Sequence, residues 1–227
     1  MKKIFLVYSF AFLATPAFSQ FHIGLSGGAN MSFWTWELKL LGLDIDYEPA
    51  MGWRAAVLGE WQMNPMFGFR AEFGTQLKAN KITRNFVFES DILSGNPNGT
   101  PGSYREFYQF WEGSLLVQFV PVKKFNYVYL MAGGTAGWLE KAWNKASGTE
   151  SGQKFSTSNP IDIKDPNWNR SAFAADFGFG GNIPLGANSK IKVEMRYQYS
   201  LSDLIANNNA EASISPLLLN VGYLHRL

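Results

Sequence analysis

Polar and apolar side chains alternate one by one over residues 190–201, KIKVEMRYQYSL. Lys190, Lys192, Glu194, Arg196, Gln198 and Ser200 interleave with Ile191, Val193, Met195, Tyr197, Tyr199 and Leu201. A helix would scatter both sets around its circumference, whereas a strand sends successive side chains to opposite faces. The pattern predicts a strand with one apolar and one charged face. The same alternation and the turn signals between its runs predict eight strands, at 21–34, 49–61, 66–84, 104–120, 126–142, 168–183, 189–203 and 213–227. Glycine- and aromatic-rich strands without a long helical stretch make the class all-β.

The connections sort into two kinds. Those after the second, fourth and sixth strands are short (QMNPM, PVKKFN, PLGANS), while those after the first, third, fifth and seventh are mostly long and polar. An up-and-down meander with short turns at one end and long loops at the other is the arrangement of an antiparallel transmembrane β-barrel of the outer-membrane type. An eight-stranded barrel is only wide enough for its own side chains to fill. Arg54, Glu60, Arg70, Glu72, Lys78, Glu112, Asp176, Lys192, Glu194 and Arg196 therefore form the expected interior network, five basic and five acidic. Buried charges are costly unless paired, so a plugged lumen is expected, with Arg70, Glu72, Glu112, Glu194 and Arg196 within contact range of one another. Aromatic rings at both strand ends read as an interfacial girdle: Trp61, Phe67, Phe119 and Tyr223 toward the short turns, Trp53, Phe107, Trp111, Trp138 and Tyr199 toward the long loops. Loops 85–103 and 143–168 have little apolar period and are expected to be exposed and more mobile than the wall.

The chain opens on Lys2 and Lys3, an apolar run from Ile4 to Ala14, and small residues at Ala17 and Ser19. These are the parts of a cleavable signal peptide over 1–19, leaving 20–227 as the barrel domain. Its removal lowers the formal net charge from +2 to 0, so nucleic acid is not an expected partner. There is no cysteine, which excludes disulfides, thiol catalysis and a lipid-anchored terminus.

No chemistry-bearing motif is compelling. LSGGAN, MAGGTAG and DFGFGGN are glycine-rich, but none precedes a helix or ends in Gly-Lys-Ser/Thr. The two histidines, His22 and His225, fall at the short-turn ends of the first and last strands, so a Ser–His nucleophile has no base in the outer half of the barrel. Asp162 and Asp165 read as loop residues rather than a cation site. No catalytic residue, metal or cofactor is expected, and the chain is read as a non-enzyme.

HIGLSGGANMS, FGFRAEFGTQLK with Arg70 and Glu72 inward, YLMAGGTAGWL, DFGFGGNIPL, EMRYQYSLSDL and LLLNVGYLHRL together resemble the small outer-membrane β-barrel domain proteins of Bacteroidota, which include the PorT-like proteins. The resemblance covers the mature chain and implies a Gram-negative cell-envelope protein with a porin-like fold, integral to the outer membrane. Its expected partners are outer-membrane lipid and other envelope proteins. The expected function is a non-enzymatic barrel whose extracellular loops bind or shield. The alternatives are an accessory subunit of a type IX-like secretion or uptake complex, implied by the PorT-like members, and a lipid A-modifying enzyme.

Overall fold

In the computed structural model, residues 21–38, 43–44, 48–86, 100–121, 127–150, 153–205 and 210–227 are described. The expected signal segment 1–19 and most of loop 85–103 lie outside them. The strands are β1 (Phe21–Leu38), β2 (Leu43–Asp44), β3 (Glu48–Gln62), β4 (Phe67–Phe86), β5 (Thr100–Phe119), β6 (Val128–Glu150), β7 (Gln153–Ile161), β8 (Ser171–Pro184), β9 (Ser189–Ser200) and β10 (Ala210–Arg226).

Each strand pairs antiparallel with its neighbour, in the circuit β1–β3–β4–β5–β6–β8–β9–β10. The ring closes where β10 returns to β1, from His22 opposite Arg226 to Leu38 opposite Ala210. Closure leaves no unpaired edge around this circuit, which is why strands with apolar outer faces coexist without an adhesive rim. β2 pairs with the end of β1, and β7 pairs with β6. Both lie outside the circuit, and neither is among the strands expected from sequence. The turn between β8 and β9 is held by Leu185 N–H donating to the Ser189 carbonyl (2.8 Å), with Gly186 at φ 87°. That left-handed conformation suits a residue without Cβ.

The wall is uneven in height. β4, β5 and β6 run for 20, 20 and 23 residues, β8 and β9 for 14 and 12. The surplus length of β4–β6, joined by β7, rises beyond the ring on the long-loop side. The expected loop 143–168 is therefore largely a β6–β7 hairpin, paired from Ala142–Ile161 to Glu150–Gln153.

Alternation along each strand divides the side chains. Large apolar residues such as Leu25, Val57, Phe73, Leu115, Phe177 and Leu219 face outward and are exposed. The inward set is not wholly polar. Leu58, Leu116, Met131, Leu218 and Leu224 are buried among the charged residues, because aliphatic side chains fill the space between ion pairs and exclude water from them. At the long-loop end the inward residues form an apolar cluster of Trp34, Tyr108, Phe110, Leu139, Ala142, Leu204 and Ile214, with Ile161, Ile163 and Trp168 packed against it.

Candidate functional site in the barrel lumen

Inward positions on four strands, β3, β4, β8 and β9, converge on one ion network. Glu72 of β4 is its hub: its Oε2 meets Arg54 and Arg196, each at 2.8 Å, and its Oε1 meets Arg70 at 3.0 Å. Arg70 also donates to both oxygens of Glu194, to Oε2 at 2.8 Å, and lies 3.6 Å from Glu60. Such a two-pronged guanidinium–carboxylate contact is the strongest geometry available to an ion pair. Glu60 holds Lys192 and, at 2.6 Å, Lys190. At the other end Arg196 Nη1 lies 3.9 Å from Asp176, whose second oxygen accepts from Thr135 at 2.5 Å.

All ten interior residues proposed from sequence are buried. They do not form one cluster. Lys78 and Glu112 pair with each other at 2.9 Å, and Lys78 Nζ stands 4.8 Å from the ring centre of Phe110. Glu112 is thus apart from the Arg70–Glu72–Glu194–Arg196 group with which it was expected to associate. The tilt of the strands carries it toward the apolar cluster, where Lys78 is its nearest counter-charge.

Two members escaped the sequence reading. Lys190 sits on the polar face of its strand but at its end, where a lysine ordinarily reads as solvated. Tyr129 is an aromatic on an inward position. It is fully buried, accepts from Arg70 at 3.3 Å, donates to Glu194, and lies beneath Lys192 Nζ at 4.3 Å from its ring centre. Its signal was its parity with Met131, Gly133 and Thr135, opposite to the outward Val128 and Leu130. Girdle assignments on ring type alone passed over it.

Of the expected girdle, Trp53, Trp61, Phe67, Trp111, Trp138, Tyr199 and Tyr223 are exposed, and Phe107 and Phe119 are half-buried. Phe119 packs on Phe67 with ring centres 5.2 Å apart, and Phe107 stacks on Trp143 at 5.3 Å. His225 Nδ1 is 3.1 Å from Ser189 Oγ at the short-turn rim. Asp162 and Asp165 accept hydrogen bonds from the Lys164 and Asn167 amides, as turn residues do. Among the described residues no group of three or more His, Cys, Asp or Glu side chains is placed to hold a metal ion.

At the short-turn mouth the network opens onto a cavity of about 330 Å³, lined in part by Gln118, Tyr127, Tyr129, Asn182 and Lys190.

No family model and no curated protein matches the chain. Among solved structures it is similar to outer membrane protein OprG from Pseudomonas aeruginosa, at 10% identity and TM-score 0.45, covering 93% of this chain and 98% of that one. It is similar to the outer membrane protease OmpT from Escherichia coli, at 9% identity and TM-score 0.44, covering 91% and 96%. It is also similar to Neisserial surface protein A, at 11% identity and TM-score 0.41, covering 92% and 98%.

Proposed function

We propose that the chain is an integral, non-enzymatic outer-membrane β-barrel with a plugged lumen, and that the sheet extension on the long-loop side carries its binding function. The outer wall carries the reading. Exposed Leu25, Val57, Phe73, Leu115, Phe177, Val193 and Leu219 form an apolar surface around the ring, and an exposed apolar surface of that extent is unfavourable in water. In lipid it is not where backbone groups are bonded internally, as they are along the paired strands of the closed ring. β9, at 12 residues, is about the length that crosses a bilayer. The longer β4–β6 then project outside it. The sequence patterns shared with PorT-like barrels of Bacteroidota are the support for placing the chain in that group.

The test is fractionation of cells producing the full chain, with extraction by alkaline carbonate and heat-modifiable gel migration. Recovery in the outer membrane as a carbonate-resistant, heat-modifiable band is expected. Release into the soluble fraction in folded form would overturn the reading.

A further inference from the structure

By formal charge the connected ion network is not balanced. Lys190, Lys192, Arg70, Arg54 and Arg196 are joined through Glu60, Glu194, Glu72 and Asp176, five cations to four carboxylates, while Lys78 and Glu112 balance each other apart from it. An uncompensated charge in a confined, poorly hydrated interior is costly. The network reaches solvent at one member: the Lys190 side chain is 16% exposed, and every other member is at most 4% exposed. Lys190 lines the short-turn cavity. None of the three short connections, 63–66, 120–127 and 185–188, contains Asp or Glu, and 120–127 adds Lys123 and Lys124 to the positive side of the tally.

A second feature belongs to the wall of the same cavity. Gln118 is 4% exposed, and its Nε2 has no hydrogen-bond partner. The amide orientation is set by Oε1, which accepts from Lys192 Nζ at 3.2 Å, so a buried donor is left without a partner on a residue that lines the cavity. Because Lys192 also bonds Glu60, and Glu60 holds Lys190, the free amide and the exposed ammonium flank a single ion pair. Pro65, Val120, Tyr127 and Pro184 give the remaining wall its apolar part, beside the amides of Gln62 and Asn182. A small cavity that combines apolar wall with a few polar groups has the composition of a ligand site.

We propose that the short-turn mouth binds a small organic carboxylate, whose oxygens accept from Lys190 Nζ and Gln118 Nε2 and whose apolar group packs against Tyr127, Pro65 and Pro184. Within the network the formal surplus of one positive charge matches a monoanion, which a phosphate monoester group, at about −1.5 to −2 near neutral pH, exceeds. That the ligand comes from the periplasm rests on the reading proposed above, whereas the binding itself does not.

The test uses the full barrel, refolded in detergent micelles and shown to be folded by heat-modifiable migration, titrated calorimetrically with N-acetyl-L-leucine. Saturable binding is expected, and none with the neutral N-acetyl-L-leucinamide. Gln118→Leu should weaken binding roughly tenfold or more, as loss of a hydrogen bond to a charged group does. Lys190→Gln should abolish binding while leaving the urea midpoint of the unliganded protein unchanged or higher, because the surplus cation is gone; Lys190→Arg should bind. Hexanoate binding as tightly as N-acetyl-L-leucine supports the carboxylate class with a lipid-derived source, and weaker hexanoate binding supports it with a peptide-derived one. No saturable binding, equal binding of the leucinamide, tighter binding of inorganic phosphate, or a large fall in the midpoint on Lys190→Gln would each overturn the proposal. A barrel that binds in micelles but is absent from outer membranes would sink the localisation and leave the site standing.

Discussion

Within the lumen, a side chain's energetic weight follows from how many partners it serves and how little water reaches it. Glu72 serves three guanidinium groups, Arg54, Arg70 and Arg196, and is buried. Glu72→Gln removes their common counter-charge, and breaking a buried ion cluster at one partner costs about 3–5 kcal/mol. A loss of that order is expected in urea unfolding followed by tryptophan fluorescence in lipid vesicles; an unchanged midpoint would mean that water compensates the three arginines. Glu48 is the control: it meets Lys81 at 2.6 Å with both side chains partly exposed, and Glu48→Gln should cost no more than about 1 kcal/mol. Two glycines give a parallel contrast. A Cβ at Gly180 would stand 2.6 Å from the Tyr129 hydroxyl and 2.9 Å from Glu194 Cγ, whereas at Gly27 its nearest neighbour would be 3.6 Å away. Gly180→Ala should therefore displace Tyr129 from Glu194 and lower the unfolding midpoint in the same assay, and Gly27→Ala should not.

Each strand was legible from sequence to the extent that its two faces meet different surroundings. In β9 apolar and charged residues alternate across the whole strand, and its expected range 189–203 contains the observed Ser189–Ser200. The β6–β7 hairpin was missed because both its faces stand outside the ring. NKASGTE and QKFSTSNPI alternate nothing apolar, and their Ser, Thr, Asn and Gly residues read as loop. The pairing there rests on the ladder, while on its other side β6 is held to β5, with Ser147 Oγ 3.1 Å from Ser103 Oγ. The charged interior was legible as a set of residues but not as a set of partners, since strand tilt and strand ends decided that Glu112 meets Lys78 and that Lys190 joins Glu60. The hairpin's two ends differ in consequence. Its tip is polar, but its base leads through Ile161 and Ile163 to Trp168, which lies 5.9 Å from Tyr108 and packs on the apolar cluster. Replacing 145–158 by a Gly-Ser turn should leave a heat-modifiable, folded band. Replacing the whole of 143–168 removes the packing of Ile161, Ile163 and Trp168, and should lower the unfolding midpoint. Equal stability of the two variants would show that the apolar cluster does not depend on the hairpin.

At the scale of the whole barrel, the lumen is closed twice by different physics. Toward the short turns, ion pairs and hydrogen bonds from β3, β4, β6, β8 and β9 cross the interior; toward the long loops, Trp34, Tyr108, Phe110, Leu139 and Ile214 close it with apolar packing. An ion crossing the barrel would have to break charge pairs and then pass a layer of packed apolar side chains. Planar-bilayer recordings of the purified protein should therefore show no steady open-channel current. The two closures are in series, so weakening one should not open the pore. Tyr108→Ala would thin the apolar layer and leave the ion network intact, and the Glu72→Gln change would loosen the network beneath an intact layer; each is expected to stay silent. The combined Glu72→Gln/Tyr108→Ala protein is the variant expected to conduct, if it remains folded by gel migration. Steady currents from the unaltered protein, or from either single variant, would contradict a lumen closed at two independent levels.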